Sequence, residues 1–153
     1  MATRIPPGAW VSSYAFATKE GGYGVMLTNS TGSPSVKGSV VCASSSVDEG
    51  FSLIVKDVPD PFGVVYEDGI ADGTQCLVII SGIAQVYFVG NATRGHIARG
   101  FLTADGASYV PGQALSESVP TSPFAADKHF FEIGHVIQSR TGAGLAKCIL
   151  HFN

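Results

Sequence analysis

The chain has 153 residues, with 12 acidic against 9 basic side chains and a formal charge of −3, enough for one domain with a sizeable core. Basic clusters are scarce, which removes the electrostatic term that drives nucleic-acid binding. Charged residues make up 14% of the chain, against about 25% in ordinary globular proteins, so much of the surface is expected to meet other protein.

The opening MATRIPPGAW lacks the apolar centre of a signal peptide, and no run reaches a membrane span, so synthesis in a reducing cytosol and no membrane partner are expected. Residues 1–22 place Ile5, Trp10, Val11, Tyr14 and Phe16 among Pro, Gly and Ser with neither helical nor strand period. They read as an extended arm. Its rings need cover, from the domain itself or a neighbouring subunit, which makes Ile5, Trp10, Tyr14 and Phe16 the candidate contact residues.

From residue 23 to 153 the pattern is a single β-domain of short strands and turns. Strands are expected at 24–28, 38–43, 51–56, 62–67, 75–80, 83–89, 98–103 and 108–110. Asp68-Gly69 and Asp72-Gly73 supply tight-turn chemistry before an apolar run, 76–80, suited to burial on both faces, and Ser81-Gly82 interrupts it. Residues 112–128 form a long loop in which Pro120 and Pro123 argue against a strand. A closing hairpin, 129–140 and 145–152, turns at Thr141-Gly142-Ala143-Gly144, with Ala146, Cys148, Leu150 and Phe152 on one face. The fold class read from this pattern is all-β, a sandwich or barrel with an extended N-terminal arm.

Candidate chemistry is sparse. Cys42, Cys76 and Cys148 are odd in number and sit in apolar contexts, so buried free thiols are expected. Asn29-Ser30-Thr31 and Asn91-Ala92-Thr93 match a glycosylation sequon but read as turns. Arg94, His96 and Arg99 form the one local basic group, a solvated loop able to contact an acidic partner. Asp57, Asp60, Glu67, Asp68 and Asp72 read as solvated turns without EF-hand spacing. His129, Glu132, His135 and His151 are the sharpest candidates for a site. On one extended strand, however, His129 and His135 would stand about 20 Å apart at ~3.3 Å per residue, so structural histidines are expected and no metal. Cys76, His96 and Asp72 can be written as a triad, but nothing in their spacing selects them. No catalytic residue and no cofactor is expected.

Pro61-Phe62-Gly63-Val64-Val65-Tyr66-Glu67, Asp72-Gly73, Ser81-Gly82-Ile83-Ala84-Gln85-Val86, Glu132-Ile133-Gly134-His135-Val136-Ile137 and the final His151-Phe152-Asn153 together resemble the capsid decoration, or cement, proteins of tailed bacteriophages. The resemblance covers residues 23–153. It implies a small β-barrel or tulip-like β-sandwich that forms a homotrimer on the outer surface of the capsid, bridging subunits of the major capsid protein and stabilising the head, with no catalytic residue to transfer. The alternative reading is a carbohydrate- or receptor-binding β-module of a phage fibre, with Tyr109, Phe124 and the 112–128 loop as its platform.

Overall fold

The computed structural model describes residues 2–4, 15–58, 60–106, 108–119 and 130–152. Among these residues eleven strands form one sheet: β1 (Ala2–Arg4), β2 (Ala15–Thr18), β3 (Gly22–Asn29), β4 (Val40–Ala43), β5 (Gly50–Leu53), β6 (Gly63–Val65), β7 (Gln75–Phe88), β8 (Ile97–Arg99), β9 (Leu115–Glu117), β10 (Glu132–Val136) and β11 (Gly144–Leu150). No α-helix occurs among the described residues; a single 3-10 turn spans Thr103–Asp105. The fold is all-β, as the strand-and-turn pattern predicts.

The strand order is β1-β2-β3-β5-β4-β6-β7-β11-β10-β8-β9, and a further pairing of β3 with β7 closes β3, β5, β4, β6 and β7 into a ring. All pairings between these strands are antiparallel except β3 with β5, where Thr28 and Asn29 lie beside Gly50 and Phe51. Beyond the ring the sheet continues through β11, which runs along β7 from Gly144 opposite Phe88 to Leu150 opposite Gly82.

Period-two alternation divides the apolar side chains between two clusters. Along β7, Leu77 and Ile79 join the larger cluster while Cys76 and Val78 join the smaller. Val40 and Val41 divide in the same way, as do Val64 and Val65. The run 76–80 is therefore buried on both faces, which accounts for its uninterrupted hydrophobicity.

Several boundaries depart from the sequence pattern. Ser81-Gly82 does not end a strand: β7 continues through it for 14 residues, and the irregularity is a bulge at which Tyr23 faces Ser81 and Gly24 faces Ile79. Gly82 has φ +78°, and a Cβ there would sit 2.4 Å from the Gly21 carbonyl oxygen, so no larger residue fits. The stretch 108–110 is not a strand, and 98–103 narrows to β8 before the 3-10 turn. The 112–128 loop contains β9, ahead of the prolines, antiparallel to β8. The arm is not wholly without strands: β1 pairs with β2, and β2 with β3, from Ala15 opposite Val25 to Ala17 opposite Tyr23.

Candidate functional site

Of the four arm residues, Phe16 alone lies among the described residues. It is half-buried on β2 and packs against the larger apolar cluster, so this ring is covered by its own domain. Ile5, Trp10 and Tyr14 lie outside the described residues, as do His129 and Phe124.

The basic group does not act as a unit. Arg94 is exposed, and its backbone N–H donates to Ser139 Oγ at 3.0 Å. His96 is half-buried with Nδ1 3.2 Å from Ser116 Oγ. Arg99 corrects the solvated-loop expectation: it is 4% exposed, its guanidinium donates to both Asp105 oxygens at 2.8 and 2.6 Å and to the Gly100 carbonyl at 2.8 Å, and its Nε bonds Glu117. Burial works against the cation, and the bonds to Asp105 and Glu117 outweigh it, raising the guanidinium above its ordinary pKa. Asp105 also accepts from the Leu102 N–H at 2.7 Å. Arg99 is a strut joining β8, β9 and the 3-10 turn, and it cannot also greet a partner.

Four of the five acidic residues, Asp57, Glu67, Asp68 and Asp72, are turn latches. Asp72 accepts from the Gly32 N–H at 2.8 Å, Asp68 from Lys37 N–H at 2.6 Å, Glu67 from Leu77 N–H at 3.0 Å and Asp57 from Thr103 N–H at 2.8 Å. Each carboxylate holds a loop to a distant segment. Asn29 is fully buried: its amide donates to Ser33 and Ile70 carbonyls and accepts from Thr31, the turn chemistry expected of it. All three cysteines are free, and burial raises each thiol, Cys148 to about 12. Cys76 belongs to the smaller apolar cluster, His96 faces Ser116 and Asp72 faces Gly32, so the paper triad does not converge.

One polar constellation does converge. Glu132 opens β10, His135 lies on the same strand, and His151 follows β11. Each imidazole Nε2 lies 3.6 Å from Glu132 Oε1, and the ring centroids are 5.0 Å apart. The carboxylate side chain is 6% exposed and the imidazoles 45% and 46%. Residues three apart on a regular strand point to opposite faces. Here a bulge pairs Glu132 with Arg99 and Gly134 with Ala98, leaving Ile133 as the extra residue, and this half-turn of phase brings Glu132 and His135 to one side. The His151 N–H donates to the Ile133 carbonyl at 3.0 Å, fixing the second imidazole above the same bulge. Three of the four residues singled out in the sequence do converge; the separation of His129 and His135 argued against it, but the second histidine here is His151, which follows the neighbouring strand β11.

The exposed large apolar side chains among the described residues are Val36, Val47, Val55, Val110, Val119, Phe130 and Ile149. Among the described residues β1 and β9 end the strand order, so each presents an edge with one pairing partner. Tyr109, half of the expected sugar platform, is half-buried, edge-to-face with Phe101 at 5.4 Å and under Lys56 Nζ at 5.5 Å from its centroid.

No protein-family model matches the chain, and no curated protein matches it. Among solved structures it is similar to the N-terminal base of the head fibre protein gp8.5 of bacteriophage phi29, with a TM-score of 0.56 over 84% of this chain and 94% of that one at 13% identity. At that identity the likeness is one of fold.

Proposed function

We propose that the chain is a non-catalytic structural protein of a tailed-phage head: a decoration or cement protein, homotrimeric, that binds the outer surface of the capsid and bridges major capsid subunits. The observation that carries this reading is the fold shared with the base of a phage head fibre, spanning most of both chains. Two features of the chain support it. The low share of charge fits a molecule whose surface is partly buried in an assembly, and the exposed valines, Phe130 and Ile149 offer apolar area for such contacts. Asp57, Glu67, Asp68 and Asp72 are spent on loops and the buried Arg99 on a strut, an economy suited to a rigid building block.

Repetition supplies the affinity. Copies on a shell engage several subunits at once, so contacts that are weak singly become strong through effective concentration. Ile5, Trp10 and Tyr14 are the proposed anchors to a neighbour or to capsid protein, while Arg94 and His96 remain available for a loop contact. The test is to mix the purified protein with shells that lack it and sediment them. The protein should pellet with the shells, and serine at Trp10 and Tyr14 should release it; a protein that stays in the supernatant rejects the proposal.

A second reading follows from the same likeness to the base of a head fibre: a receptor- or carbohydrate-binding module of a phage fibre. The engaged ring of Tyr109 weighs against the platform first expected for it. A glycan array separates the two, since the decoration reading predicts no glycan bound.

A further inference from the structure

We propose that Glu132, His135 and His151 form a binding site for a divalent transition-metal ion, with zinc its best-matched occupant. Three donor atoms, one carboxylate oxygen and two imidazole nitrogens, all lie within 4.8 Å of one another. Ligands of a tetrahedral ion at about 2.0–2.1 Å stand roughly 3.3–3.4 Å apart. The two Glu–His separations of 3.6 Å are already close to that spacing. Drawing the imidazoles together requires only rotation of two half-exposed side chains, while the buried carboxylate stays in place.

The backbone supplies a second argument. Glu132 and His135 share a side only because of the bulge at Ile133, and the bulge depends on Gly134. Gly134 has φ +155°, and a Cβ there would meet the Ile149 carbonyl oxygen at 2.1 Å. A backbone feature that admits no side chain and re-aims a carboxylate toward two imidazoles on adjoining strands is the kind of bulge that builds sites.

The donor set selects the metal. Calcium and magnesium ask for oxygen ligands, whereas two imidazoles and a carboxylate suit zinc and its first-row neighbours. Each histidine would bind through Nε2 as the neutral tautomer with its proton on Nδ1. Three protein ligands leave a fourth position, and the exposure of both imidazoles turns it to solvent. The ion would tie β10 to the residue that follows β11.

The test uses the untagged full-length chain, stripped with a chelator and titrated with zinc by calorimetry and with cobalt by visible absorption. The expected result is one ion per chain, the cobalt spectrum of a low-coordinate site, and a higher unfolding temperature with zinc. His135→Ala and His151→Ala should each weaken zinc at least about 100-fold, since loss of a second-shell partner alone costs 10–100-fold. Both side chains are half-exposed, so both variants should match the wild type in unfolding temperature without metal; should His135→Ala fail to fold, His151→Ala, beyond the last strand, carries the test. No saturable uptake by the wild type, or uptake unchanged in His151→Ala, overturns the proposal. Zinc uptake is the same whether or not the chain sits on a capsid, so the two proposals fail separately.

Discussion

Replacing Asp105 with alanine tests the reading of Arg99 as a buried strut. The substitution removes two hydrogen bonds from a guanidinium that is 4% exposed, and it removes the acceptor of the Leu102 N–H. Leaving a buried charge without its partner costs about 3–5 kcal/mol. Glu117 remains on Nε, which places the loss at the lower end of that range, and the lost backbone cap adds about 1 kcal/mol. The sum, about 4 kcal/mol, should lower the urea midpoint by roughly 2 M at a slope near 2 kcal/mol/M. Urea unfolding at one fixed protein concentration measures it, because assembly would otherwise shift the midpoint. Arg94→Ala, on the exposed neighbour, should stay within about 0.5 kcal/mol of wild type. If Asp105→Ala cost no more than Arg94→Ala, Arg99 would be hydrated and the strut would not exist.

Gly134→Ala should destabilise by about 3 kcal/mol or more in the same assay, because the added carbon meets a backbone oxygen and the φ is strained; a loss under 1 kcal/mol would mean the bulge can relax. Stability should fall at alkaline pH. Burial, and then the hydrogen bond to Glu20, raise Tyr66 from about 10 to about 12, and burial raises Cys148 to about 12. Both groups favour the fold fully below their unfolded pKa values and lose that contribution as pH climbs through the folded ones, so a midpoint-against-pH curve should drop between about pH 9 and 12 and flatten in Tyr66→Phe and Cys148→Ala. Cys76 and Cys148 should resist a thiol reagent in the native protein and react on unfolding; rapid native labelling of Cys148 would contradict its burial.

What sequence reasoning reaches here is set by distance along the chain. The apolar run Cys76 to Ile79 is local, and both faces of that stretch are indeed buried. Part of the turn chemistry of Asn29 is local too, since Thr31 and Ser33 are neighbours, while its bond to the Ile70 carbonyl could not be read from the sequence. Ser81-Gly82 carries the marks of a break, and only the partner strand β3, with Gly22 beside Gly82, reveals a bulge inside one long strand. β9 has three residues, too few to show a period. Arg99 looks solvated beside Arg94 because one of the carboxylates that bury it, Glu117, lies on another strand. Glu132, His135 and His151 needed both an antiparallel register and a bulge to meet, and neither can be read from spacing along one strand.

The measurement that bears most directly on the decoration reading is the saturation stoichiometry of the purified protein on shells that lack it, read by sedimentation together with its mass in solution by light scattering. The account predicts a trimer that pellets and saturates at a fixed number of copies per shell. A monomer that remains in the supernatant at every concentration would contradict it.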